Sequence, residues 1–202
     1  MKKLSESLAR ILTYALSPSI LVVIFIMAIA LTMLEVSWRA VGWGLVGSFL
    51  LVGIPTFYVL WRYITGRSRD LLLRRREDRA IPLLMALVCG LIGFVLIQRK
   101  GAPYLLELLA GFLLVNLSAV ALITFFWKIS LHTATAGGLV TLLLFAFGWK
   151  VVWVYLGVVA SGWARVRLKE HSAAQVVMGA LLAIFLTAGL LFLCDYKIGQ
   201  LI

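Results

Sequence analysis

The chain has 202 residues, of which 63% are hydrophobic and 13% charged. Its mean hydropathy is +1.08. A soluble domain carries about 45–50% apolar and about 25% charged residues, so this composition excludes a soluble globular protein. A net charge of +11 would suggest nucleic acid in a soluble chain. In a membrane chain it points instead to anionic lipid headgroups, to the cytoplasmic bias of basic loops, or to an anionic substrate.

The first twelve residues, "MKKLSESLARIL", are basic and amphipathic, which predicts a short interfacial helix on the membrane surface. Apolar segments follow at residues 19–35, 40–61, 81–97, 104–126, 133–148, 151–164 and 173–193. Runs of about 18 or more apolar residues read as membrane spans. The expectation is an all-α, polytopic transmembrane bundle of six to seven spans forming one domain over residues 1–202. The first span lacks a small-residue cleavage site and reads as retained rather than as a signal peptide. The sixth segment, between Lys150 and Arg165, is short and needs a thinned bilayer or snorkelling flanks.

Pro82 and Pro103 stand at the first turn of their spans, where a missing N–H costs nothing. Pro55, in "VGIPTF", lies inside the second span and predicts a kink. Cys89 and Cys194 sit in apolar runs and read as buried thiols, without a disulfide framework or metal site. Trp38, Trp61, Trp127, Trp149 and Trp163 fall near span ends and read as interfacial anchors. Glu107, near a span start, reads as interfacial. The glycines of "TATAGGLV" suit close helix packing.

One connection is long and strongly polar. Residues 62–82 hold seven arginines and three acids, most of them suited to hugging anionic lipid. Counting spans from the N-terminus puts 14 of the 19 basic residues on its side and 5 on the other. The N-terminal face is therefore expected to be cytoplasmic. The same parity returns the arginine loop, Lys128–His132 and Arg165–His171 to one face, where a single polar cavity can collect them.

"WKISLHTATAGG", residues 127–138, places Lys128, Ser130 and His132 at the mouth of an expected helix. There a serine can cap while a histidine projects from the first turn, with backbone N–H groups facing the same space. In "ARVRLKEHSAAQ", Arg165 and His171 are six apart and converge only if the chain turns between them. His171 and Gln175, four apart, share a helix face, so the Gln175 amide oxygen can fix the imidazole tautomer. Two histidines, an arginine, a lysine and a helix N-terminus on one face suit metal-independent phosphoryl transfer. One histidine attacks phosphorus, the other protonates the leaving oxygen, and the cations stabilise the equatorial oxygens.

Over roughly residues 70–180 the chain resembles the type 2 phosphatidic-acid phosphatase superfamily, membrane lipid phosphatases related to vanadium haloperoxidases. That family carries Lys-x6-Arg-Pro, Pro-Ser-Gly-His and Ser-Arg-x5-His-x3-Asp. The third pattern is matched in spacing by Arg165, His171 and Gln175, the second by Ser130 and His132 in "ISLH", and the first is echoed by Arg79 in "REDRAIP". The resemblance implies that His171 is the nucleophile, His132 the general acid, and Arg79, Ser130 and Arg165 phosphate ligands. Ala164, Ile129, Leu131, Leu72 and Gln175 depart from the motifs; Lys128 or Arg76 can supply the charge missing at Leu72.

The sequence thus predicts an integral membrane phosphatase for a lipid phosphate or an isoprenoid diphosphate, in a bacterial or archaeal plasma membrane. Its partners would be the phosphorylated lipid or polyprenyl substrate and membrane lipids, not nucleic acid; no metal or organic cofactor is implied. The alternative is a catalytically inactive lipid-binding or transport protein on the same fold, favoured by Gln175 and Leu72. A small channel ranks last, because no span carries a repeated ionisable stripe.

Overall fold

The computed structural model describes residues 2–32, 38–68, 71, 77–102 and 104–193. Nine α-helices follow in order among these residues: α1 (Lys2–Ala15), α2 (Pro18–Thr32), α3 (Trp38–Ser48), α4 (Ile54–Ile64), α5 (Ala80–Arg99), α6 (Tyr104–Phe126), α7 (Leu131–Phe147), α8 (Tyr155–Arg167) and α9 (Ala173–Leu193). The described residues contain no strand. Five helical stretches are long and apolar enough to cross a bilayer, and a sixth is added if α1 and α2, bent by 44° at their junction, form one broken span. The chain is a polytopic helical membrane protein.

One of the five stretches, Leu131–Arg167, covers 37 residues, about 55 Å as a straight helix and far more than a hydrocarbon core needs. It is not straight. Gly148 adopts φ +68°, a conformation that glycine takes without steric cost, and a 3-10 segment (Gly148–Val154) turns the chain. A Cβ on Gly162, near the end of α8, would lie 3.6 Å from Thr133, near the start of α7. The stretch is therefore a hairpin of two arms, which is why seven apolar segments are seen in the sequence and fewer long helices in the structure.

The helix is irregular just before Pro55, where the sequence predicts a kink. A π-helical turn (Phe49–Gly53) joins α3 to α4, and the helix continues through it as Trp38–Ile64. Proline cannot donate to the carbonyl four residues earlier, and a wider turn just before it absorbs that lost bond.

The chain divides into two compact units, residues 1–21 with 127–202, and residues 22–126. In the second unit, α5 presents Leu84, Val88, Leu91 and Val95 outward at helical spacing, as a lipid-facing stripe. Half-buried Cys89 lines a cleft here with Gly90, Gly93, Leu50 and Leu51, all apolar neighbours. In the first unit, α1 packs on α8. Its Ala9 and Thr13 are buried, whereas Leu4, Leu8 and Ile11 face outward. That is the two-sided character expected of an interfacial helix. Arg167 of α8 reaches the Ser5 hydroxyl at 2.9 Å and lies 3.6 Å from the Glu6 carboxylate.

Trp38, Trp149 and Trp153 are strongly exposed, in keeping with interfacial anchoring. The guanidinium of Arg67 lies 4.6 Å from the Trp61 ring centroid, a cation–π contact at a helix end.

Candidate active site

The site is built on a close parallel contact between α7 and α9. Register is set by small residues. A Cβ on Gly179 would come within 2.7 Å of the Ser130 carbonyl oxygen and 2.9 Å of Thr133 Oγ1. One on Gly137 would come within 3.1 Å of the Ala180 carbonyl oxygen. Backbones can approach this closely only where side chains are missing. The Ser130 N–H then donates to the Gln175 carbonyl (3.2 Å), and Thr133 Oγ1 donates to the Val176 carbonyl (2.9 Å). The starts of α7 and α9 are thereby fastened to each other. The glycines of the "TATAGG" segment pack helices, as their sequence context suggests.

Ser130 is the N-cap of α7. Its backbone is extended (φ −84°, ψ 106°) and its Oγ accepts from the Thr133 N–H at 3.5 Å. It is fully buried. The expected cap is therefore present. The cap uses the hydroxyl as an acceptor, so its O–H remains a donor. His132 follows in the first turn as a half-buried residue with a buried Nε2.

The turn between α8 and α9 supplies the rest. Lys169 takes φ +55°, a left-handed conformation that costs a non-glycine residue about 1 kcal/mol or more. It lets the chain reverse, so that the N–H groups of Glu170 (3.0 Å) and His171 (3.3 Å) both donate to the Arg165 carbonyl. The turn that Arg165 and His171 need in order to converge is this one. Two side chains hold it. Lys128 Nζ donates to the Glu170 carbonyl at 2.7 Å, and the Glu170 carboxylate forms an ion pair with Arg165 Nη2. Both charged side chains are 1% exposed. Lys128 and Arg165 also lie at the carbonyl end of α8, where a helix favours cations.

Ser172 caps α9. Its Oγ accepts from the Gln175 N–H (3.3 Å), while Gln175 Oε1 accepts from the Ser172 N–H (3.1 Å). This is a reciprocal capping box. The second bond fixes which end of the amide is oxygen, since a backbone N–H only donates. Gln175 Oε1 also lies 3.2 Å from His171 Nδ1. An amide oxygen cannot donate, so Nδ1 carries the proton and Nε2 is the basic nitrogen of the neutral ring. Glutamine thus orients the imidazole through the oxygen that caps the helix.

Lys128, Ser130, Arg165, His171 and Gln175 come together as the spacing suggests, with His132 two residues from Ser130. Arg79 is buried in a 3-10 turn (Glu77–Arg79) at the start of α5, in the second unit. Arg76 and Leu72 lie outside the described residues. Among the expected phosphate ligands, Lys128 donates to a backbone carbonyl and Arg165 holds a carboxylate.

Glu170 and Ser172 are the residues that sequence reasoning misses. Ser172-x-x-Gln175 has the capping-box spacing and was open to detection. Glu170 is the one acid in "RVRLKE", but its approach to Arg165, five residues earlier, depends on the Lys169 backbone angle, which has no sequence signature. No protein-family model, no curated protein and no solved structure matches this chain.

Proposed function

We infer that the protein is an integral membrane phosphatase that hydrolyses a lipid phosphate or an isoprenoid diphosphate through a phosphohistidine. The observation that carries this reading is the Gln175 oxygen that accepts from both Ser172 N–H and His171 Nδ1. It leaves the His171 nucleophilic lone pair on Nε2, in a site that also holds two cationic side chains. In the first step Nε2 attacks phosphorus, the bond from phosphorus to the leaving oxygen breaks, and protonated His132 gives that oxygen its proton. In the second, water attacks the phosphohistidine, His132 takes the water proton, and the P–N bond breaks to release inorganic phosphate. Arginine and lysine charge stabilises the equatorial oxygens in both steps.

A second reading is a lipid-binding protein without turnover. It is favoured by the Arg165–Glu170 pair and by a neutral amide, rather than a carboxylate, behind His171. The two separate on phosphate release by detergent-purified protein from a panel of lipid phosphates, with EDTA present. The phosphatase reading expects release that His171→Ala abolishes and His132→Ala lowers at unchanged substrate binding. Absence of release from every lipid, with binding unchanged in His171→Ala, establishes the second reading instead.

The site mouth is assigned to the cytoplasmic face of a bacterial or archaeal plasma membrane, on the 14-to-5 distribution of basic residues. Single cysteines at Thr65 and Lys100, both exposed, test this with an impermeant thiol reagent on intact cells. Labelling at position 100 alone agrees with it; labelling at position 65 alone reverses it.

A further inference from the structure

We propose that Glu170 is a selectivity residue. Its carboxylate occupies the Arg165 guanidinium until a phosphate end carrying two or more negative charges, a monoester or a diphosphate, displaces it. This rests on the phosphatase reading for its substrate class, and on the geometry of the α8–α9 turn for its mechanism.

Arg165 and Glu170 are 1% exposed and ion-paired. A buried guanidinium needs a counter-charge, because losing it leaves an uncompensated ion in a low dielectric. Any anion that binds Arg165 must therefore replace Glu170 rather than join it. Exchange of one singly charged anion for another gains little in Coulomb energy and still requires the carboxylate to move. A dianion gains more at the same cation and can meet that requirement. A phosphodiester headgroup carries a single charge at phosphorus and falls below the threshold.

The turn is made for such an exchange. Glu170 lies between α8 and α9, so its side chain can swing without unwinding either helix. Its backbone stays fixed meanwhile, through its N–H to the Arg165 carbonyl (3.0 Å) and its carbonyl to Lys128 Nζ (2.7 Å). On this proposal the displaced carboxylate moves to the Lys128 ammonium, which already holds the Glu170 carbonyl. Expulsion of Glu170 exchanges one cationic partner for another instead of stranding a charge. Lys128 thus acts on the headgroup through Glu170, and Arg165 acts on it directly.

The test uses full-length protein in detergent and two probes with the same acyl chains, dioctanoyl phosphatidic acid and dioctanoyl phosphatidylmethanol. The first is a phosphate monoester and the second a phosphodiester. Wild type should bind the monoester about tenfold more tightly or better. Glu170→Gln keeps the side-chain shape and removes the competing charge. It should bind both probes more tightly and narrow their ratio to about threefold or less. An unchanged ratio in Glu170→Gln overturns the proposal. So does a wild-type ratio near one, which needs no variant and stands even if Glu170→Gln fails to fold. Turnover of the monoester by wild type is read in the same samples. Selectivity without turnover sinks the catalytic reading and keeps this one; turnover with a ratio unchanged in Glu170→Gln does the reverse.

Discussion

Glycines line helix contacts in both units of the chain, but they meet different things. In the second unit, a Cβ on Gly93 would find only the Leu50 side chain, at 3.4 Å, and one on Gly90 the tips of Leu51 and Leu114. In the first unit, a Cβ on Gly179 meets the Ser130 carbonyl at 2.7 Å and one on Gly137 meets the Ala180 carbonyl at 3.1 Å. Leucine tips change rotamer; a carbonyl in a helix does not move alone. The first unit also carries hydrogen bonds between helices, whereas the cleft of the second is lined by apolar side chains, glycines and Cys89. The difference teaches where rigidity is placed. Backbone-on-backbone packing holds the segments that carry the two histidines, and plastic side-chain packing is kept for the part that needs only to be apolar.

Breaking the polar lock of the first unit should give the largest effect. Arg165→Ala or Glu170→Ala strands one buried charge, and either should cost about 3–5 kcal/mol. Loss of monodisperse protein on heating in detergent measures it. Single variants as stable as wild type would mean that the pair is solvated. The glycine contrast comes next. Gly179→Ala should cost about 3 kcal/mol because α9 must move off α7, and Gly93→Ala should stay within about 1 kcal/mol because Leu50 yields. Equal effects would erase the distinction between the units. The smallest effect belongs to the cap. Ser172→Ala removes the acceptor for the Gln175 N–H and should cost about 1 kcal/mol. It should leave activity within a few fold, because the bond from Ser172 N–H to Gln175 Oε1 survives and still orients the amide.

The spans were legible because burial in lipid writes itself into composition. The apolar runs at 104–126 and 173–193 coincide with α6 (Tyr104–Phe126) and α9 (Ala173–Leu193). The hairpin of α7 and α8 was visible as two segments, 133–148 and 151–164, separated by Trp149 and Lys150. The meeting of Lys128–His132 with Arg165–Gln175 was legible from span parity and from the four-residue step between His171 and Gln175. What those side chains do on meeting was not. Ser130 Oγ caps α7, and Lys128 donates to a carbonyl that no sequence pattern singles out. The Arg165–Glu170 pair needs a positive φ at Lys169, a residue type that rarely adopts one. The π turn before Pro55 was not legible, because a local widening and a bend both answer the same missing N–H.

The central claim is a covalent intermediate on His171, and trapping it is the most direct test. Purified protein is mixed with a 32P-labelled lipid phosphate, quenched in alkali within the first turnover, and digested for peptide mapping. Phosphohistidine survives alkali and is lost in acid. An alkali-stable, acid-labile label is expected on the peptide carrying His171 in wild type, retained in His132→Ala and absent from His171→Ala. Lipid phosphate hydrolysis with no label on that peptide, or with the label undiminished in His171→Ala, would contradict it.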